Sequence, residues 1–312
     1  MAHINIKSDR IEYFDYTFQG TVSGYTSGGY NGVPTIFNII DKFPFSADAD
    51  AVDVGDLSVT RSNSAGQSSS VSGYSSGGSN NSIPATYNII DKFPFSADAN
   101  AADVGDLTQA IKFLSSQSSS VSGYTSGGTL STPTITSNVI DKFPFSSDTN
   151  AIDVGDLTAA KYYNIGQSSS ESGYSSGGNL NPGVSNVIDK FPFSADNSAT
   201  NVGSLTVGRY GGAGQSSSVS GYSSGGFSPT YSNIIDKFPF ASDGASTDVG
   251  DLTISRFVTG GQSSTEFGYA SGGIDFFSDY NTIEKFSFSA DENAADVGDL
   301  TAFRAGTAGQ QI

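Results

Sequence analysis

The sequence predicts an all-β fold: one six-bladed β-propeller of four-stranded antiparallel blades. Three observations carry the prediction. The phrase Gly-Tyr-x-Ser-Gly-Gly recurs from Gly24, Gly73, Gly123, Gly173, Gly221 and Gly268, so that successive copies start 47 to 50 residues apart. A fixed period of this length marks a repeat architecture, and it suits one propeller blade. No stretch holds a helical period, and the Pro inside Phe-Pro-Phe and the Gly-rich blocks count against helices.

Each repeat reads as four short strands. Strand a covers Gln-Ser-Ser-Ser-Val, whose small residues suit the crowded axis of a ring. Strand b covers Tyr-x-Ser and stops at Gly-Gly. Strand c is Ile-Ile-Asp-Lys-Phe-Pro-Phe, at Asn38 and Asn88 and in close variants at Asn138, Asn186, Asn233 and Asn281. It is apolar on both faces, as a strand covered on both sides should be. Strand d surrounds Val-Gly-Asp-Leu-Thr, in blocks beginning at Asp53, Asp103, Asp153, Asn201, Asp248 and Asp296. The division expected is an N-terminal arm, 1–17, and the propeller, 18–312. A first strand a falls around Phe18 to Ser23, which makes the blades contiguous in sequence. Alternatively, Gly309–Ile312 or Ile4–Tyr16 adds a strand across the seam.

Composition bounds the function. The 312 residues carry a formal charge of −17, which excludes a nucleic-acid track, because phosphate binding needs clustered Lys and Arg. No stretch approaches the roughly 20 apolar residues of a membrane helix, and the start has no apolar signal-peptide core. Without Cys there is no thiol chemistry, while 22 Phe and 15 Tyr supply a core.

Alternation places the Asp and Lys of strand c on opposite faces. One expectation is therefore a ring of inter-blade pairs through Asp41/Lys42, Asp91/Lys92, Asp141/Lys142, Asp189/Lys190, Asp236/Lys237 and Glu284/Lys285; the other is that both side chains reach solvent. A basic residue follows each strand d, at Arg61, Lys112, Lys161, Arg209, Arg256 and Arg304, as partner for carboxylates or backbone carbonyls. The Ser46–Asp56 stretch has alternating carboxylates, but copies soften Asp50 to Asn100 and Asn150. Turn chemistry accounts for it, and Asp48, Asp50, Asp53 and Asp56 are the ligands should calcium bind. Gly73–Gly77 and its copies match a G-x-S-x-G elbow. An elbow needs a strand-to-helix turn with a His and an acid, and His3 is the single His. Neither catalysis nor a cofactor is expected.

The double Gly after a Tyr-bearing strand, the acidic-basic-aromatic strand and the basic residue after strand d resemble the kelch repeat of β-propellers, over about residues 18–304. Kelch blades usually carry a Trp in strand d. This chain has none, and Leu57, Leu107, Leu157, Leu205, Leu252 and Leu300 stand ready to fill that volume. The Ser/Gly-rich wording resembles kelch-like proteins of tailed phages of aquatic bacteria, cyanophages among them. That resemblance implies a virion-associated protein, a head or tail appendage or host-recognition part assembled in the host cytoplasm. Its arm, with Ile4, Ile6, Ile11, Tyr13 and Phe14, would dock on other virion proteins by strand addition.

Copies differ mainly between strands b and c and between strands d and a, and in an up-and-down blade those loops share one face. They carry Tyr30, Phe37, Tyr87, Phe113, Tyr162, Tyr163, Tyr210, Phe227, Tyr231, Phe257, Phe276, Phe277 and Tyr280. Exposed aromatics on loops of a rigid scaffold mark this as the expected binding face, for a host surface protein or glycan. A lectin-like propeller is the alternative reading.

Overall fold

The computed structural model describes residues 3–7, 10–14, 19–32, 35–80, 85–130 and 135–312. Among them there is no helix, and six four-stranded antiparallel sheets form a β-propeller. Blade 2 is typical: a is Ala65–Ser68, b is Ser72–Ser76, c is Ile89–Pro94 and d is Ala102–Asp106. Strands b, c and d fall where the repeat predicts. Strand a lies about two residues earlier than expected, because the second Ser of Gln-Ser-Ser-Ser begins the turn. Ser69 Oγ accepts from the Ser72 amide at 2.9 Å and donates to the Ser72 carbonyl at 3.1 Å, which closes the a–b turn.

The ring closes with the C-terminus, not with residues 18–23. Ala308–Gln311 pairs antiparallel with Ser23–Ser27 and serves as strand a of blade 1. Residue Gly20 makes only an isolated parallel bridge to Ser264. The C-terminal sequence Ala-Gly-Gln-Gln copies the inner-strand phrase Ala-Gly-Gln-Ser, whereas Gln-Gly-Thr-Val at 19–22 does not. Residues 15–18, and with them the expected arm boundary, lie outside the described residues. Within the arm, His3–Lys7 and Arg10–Phe14 form an antiparallel hairpin with Ile4 opposite Tyr13 and Ile6 opposite Ile11.

Most recurring residues have a task at a blade boundary. In strand b the Gly lies opposite the first strand c Phe, Gly73 against Phe93, and a Cβ there would collide with the ring. The following Tyr stacks on two Phe of the next blade: Tyr74 lies 5.5 Å from Phe143 and 4.9 Å from Phe145. The same triad recurs around the ring, ending with Tyr269 on Phe43 and Phe45. Gly77 and Gly78 end strand b at φ of 66° and 95°, the left-handed region that favours glycine. The six strand d leucines are buried in the inter-blade cores.

Polar residues repeat the pattern. Each strand a Gln donates to the strand b Tyr carbonyl of the next blade, at 2.8 to 3.1 Å, from Gln67 to Tyr124 round to Gln310 to Tyr74. At the axis Gly66, Gly166, Gly214, Gly261 and Gly309 lie so close to the neighbouring strand that a Cβ would strike its carbonyl.

The Asp–Lys ring is a correction. No strand c Lys meets a strand c Asp. Instead Lys42, Lys92, Lys142, Lys190 and Lys237 reach the c–d turn carboxylates Asp98, Asp148, Asp196, Asp243 and Asp291 of the next blade, at 2.9 to 3.3 Å, and Lys285 pairs with Asp48. The strand c acids turn the other way, into buried pairs with the preceding blade: Arg304–Asp41 2.7 Å, Arg61–Asp91 2.9 Å, Lys161–Asp189 3.1 Å, Arg209–Asp236 3.0 Å and Arg256–Glu284 3.1 Å. Burial alone lowers these cations' pKa values, and the facing carboxylates oppose it. Strand c runs without a break against strand b, so ordinary alternation sets the two side chains on opposite faces, and the register shift against strand d falls at Val54 and Val104 of that neighbouring strand.

Lys112 is the second correction. Counting from the strand d Leu, Ile111 takes the position of Arg61, and Lys112 takes that of Ser62. Asp141 is therefore buried with Thr108 as its partner and no paired cation among the described residues. Burial, the largest effect, raises its pKa, while the Thr108 bonds pull the other way.

Candidate binding face

The antiparallel order places both variable loop sets at one end of the ring, where they pair with each other. Ser62 bridges Ser79, Tyr162 bridges Asn179, Tyr210 bridges Phe227, Phe257 bridges Ile274 and Tyr30 bridges Ala305. In each case a d–a connector is tied to the start of a b–c loop.

Around the axis the connectors form a closed collar. Backbone N–H groups of Asn63, Phe113, Tyr163, Gly211, Val258 and Gly306 each donate to the carbonyl of the equivalent residue in the preceding connector, at 2.6 to 3.0 Å. All six have positive φ, including Phe113 at 61°, Tyr163 at 55° and Val258 at 53°. Bulky side chains rarely take this conformation, and such strain concentrates at functional sites.

From the collar an aromatic cluster runs outward over blades 5 and 6. Phe113 stacks on Tyr163 at 4.1 Å, and Tyr163 lies 5.0 Å from Phe257. Tyr162 touches both Phe113 and Tyr163, and Tyr210 joins Phe257 to Phe227. Phe227 packs on Tyr231, Tyr231 meets Phe276 edge-on at 4.4 Å, and Phe276 leads to Phe277. Most of these rings are half-buried, but Phe276 and Phe277 are 68% and 92% exposed. Nine residues named from the sequence thus form one connected surface.

The other named aromatics stand differently. Tyr280 donates to Asp275 Oδ2 at 2.8 Å, and Asp275 Oδ1 accepts from the Phe277 and Ser278 amides. That carboxylate fixes the loop presenting Phe276 and Phe277. The Phe277 amide bond does most to lower the Asp275 pKa, and burial with the adjoining carboxylate pushes Tyr280 up to about 12. Tyr30 is pushed up to about 12 by burial and by Asp279, and Asp279 also accepts from the Gly32 amide at 2.7 Å across the blade 6–1 boundary. Phe37 and Tyr87 are half-buried at the foot of their b–c loops, with their amides on the Gly29 and Gly78 carbonyls.

On the opposite face the acidic turns tie blade to blade. Asp48 pairs with Lys285, and Asp50 Oδ1 accepts from the Asp299 amide at 3.1 Å. Asp53 accepts from Gly55 within its own strand, and the Asp56 amide bonds Asn100. Among the described residues no three metal-ligating side chains converge. The G-x-S-x-G serines lie buried inside strand b rather than on an elbow, with Ser75 Oγ bonded to Ser64 Oγ at 3.1 Å.

Sequence reasoning missed one group at the axis. Asn63, Asn164, Thr259 and Thr307 line the cavity inside the collar, and they look like ordinary connector residues until the six copies are laid over one another. Compared with known proteins, the chain matches no family model and no curated sequence.

Proposed function

We propose that this protein is a non-enzymatic binding part of a phage particle, a head or tail appendage that grips its partner with the variable face. One observation carries the reading. The loops rewritten from copy to copy converge on a connected aromatic surface that ends in two solvent-facing phenylalanines. Large contiguous apolar patches on a polar protein mark interaction sites, and aromatic anchors dominate binding energies. The phage setting is supported by the Ser/Gly-rich repeat wording, and the N-terminal arm is proposed to hold the protein to other virion proteins.

A host-surface glycan is the second reading for the same face. The cluster sets ring surfaces beside the carboxylates Asp275 and Asp279, the mixture of apolar platform and fixed polar groups that small-ligand sites use. Binding of the purified chain to host cell envelopes and to a glycan array, wild type against Phe276→Ser/Phe277→Ser, tests both readings. Because both rings are exposed, the variant should fold normally while losing at least about tenfold in binding, as expected of hot-spot anchors. Unchanged envelope binding would overturn the choice of face, and array signals decide between protein and glycan.

A further inference from the structure

Inside the collar lies an axial cavity of about 70 Å³, lined by Asn63, Phe113, Tyr163, Asn164, Thr259 and Thr307 among others. Four of its oxygens, Asn63 Oδ1, Asn164 Oδ1, Thr259 Oγ1 and Thr307 Oγ1, have no hydrogen-bond partner among the described residues. Their residues are only 6 to 8% exposed. The amide nitrogens face other partners: Asn63 Nδ2 donates to Ser62 Oγ, and the two hydrogens of Asn164 Nδ2 are shared among Ser115 Oγ, Ser175 Oγ and the Ser126 carbonyl. An orphaned buried polar group is costly, so four together call for hydrogen-bond partners.

We propose that this cavity is a receptor for a primary ammonium group, from a free amine or from a lysine side chain of a partner. The donor–acceptor balance favours a donor-rich group. The two Asn oxygens only accept, each Thr hydroxyl accepts as well as donates, and an ammonium brings three donors to this set. The volume suits a small head, since a water's share of liquid is about 30 Å³. The rim presents the Phe113 and Tyr163 rings, and cations favour the faces of Phe and Tyr; the Phe113 ring also carries Lys112 Nζ at 5.0 Å from its centroid, a like charge that works against this attraction. The chain's net charge of −17 favours a cation throughout. This assignment rests on the reading of the variable face as the binding face.

The test titrates n-pentylammonium, pentan-1-ol and potassium chloride into the full chain at pH 7, followed by NMR shifts of the ring protons. The ammonium should bind at least tenfold more tightly than the alcohol. The Thr259→Val/Thr307→Val variant, which removes two orphaned hydroxyls, should melt no lower than wild type and lose that binding at least tenfold. Should the double variant fail to fold, Thr259→Val alone serves with the same criterion. Equal affinity for the alcohol, the same shifts from potassium, or undiminished binding by the variant would overturn the proposal. A lysine-containing peptide bound more tightly than pentylammonium identifies a partner side chain as the source, and equal affinity identifies a free amine. Failure here leaves the envelope-binding result for Phe276 and Phe277 standing, and the reverse also holds.

Discussion

At the residue scale, five buried ion pairs and one exception make an internal control. Asp91 faces Arg61 at 2.9 Å, and Arg61 also donates to the Ser75, Gly77 and Ile89 carbonyls. Asp91→Asn would leave a buried guanidinium without its counter-charge, which should cost about 3–5 kcal/mol. Asp141 has Ile111 where the cation stands elsewhere, so Asp141→Asn at neutral pH should cost less than about 1 kcal/mol or be stabilising. The pH dependence follows from the raised pKa of Asp141. Its native state holds the proton more tightly than the unfolded chain, so wild-type stability falls as pH rises from the ordinary Asp value of about 4 to the raised value. The advantage of Asn should therefore appear over that interval and vanish at lower pH. Urea melts of both variants across pH decide it; equal costs at pH 7 would show that the missing cation does not matter.

At the element scale, the strand that closes the ring is the one the repeat leaves to the chain end. Ala308–Gln311 ladders onto Ser23–Ser27, Gln310 donates to the Tyr74 carbonyl of blade 2 at 2.9 Å, and the Ile312 carbonyl accepts from Val22 and Ser23. Removing residues 308–312 deletes an inner strand and both of its boundaries. Circular dichroism should show a melting temperature at least about 10 °C lower, because several kcal/mol of ladder and packing are lost at roughly 2–4 °C per kcal/mol. A truncated chain melting with wild type would mean that the ring is held shut elsewhere. Closure by this strand was readable in part: Ala-Gly-Gln-Gln repeats the inner-strand phrase, but nothing in the sequence alone excluded the N-terminal segment as its rival.

Across the whole molecule, the side chains written alike pack blade on blade, while the rewritten segments gather at one end of the ring, where their backbones close the collar and their aromatic side chains form the surface. The recurrence of Gly-Tyr, Gly-Gly, Asp-Lys and Gln-Ser gave away the blade count and three of the four strands. The direction of each contact was hidden. Alternation sets Asp41 and Lys42 on opposite faces, but that Asp41 meets Arg304 and Lys42 meets Asp98 depends on which residues the neighbouring blades bring up to each face. The aromatic loops could be named from sequence, but their union into one surface depends on which blades stand side by side. The axial oxygens were out of reach for a related reason: convergence at an axis is a property of the closed ring. Ile111 was within reach, since it stands four residues after Leu107 as Arg61 does after Leu57.

Thermal denaturation of matched single variants measures this division of labour most directly. Tyr174→Ala and Gln167→Ala remove recurring residues that reach the next blade, at Phe238 and Phe240 and at the Tyr222 carbonyl. Phe276→Ser and Phe277→Ser remove rewritten residues. Tyr174→Ala should lower the melting temperature by about 6–10 °C, from a core loss of about 3–5 kcal/mol, and Gln167→Ala by about 2–5 °C. The two Phe variants should stay within about 2 °C of wild type. If the Phe variants fell as far as Tyr174→Ala, the rewritten loops would be part of what holds the ring together, and the separation of scaffold from binding face would be wrong.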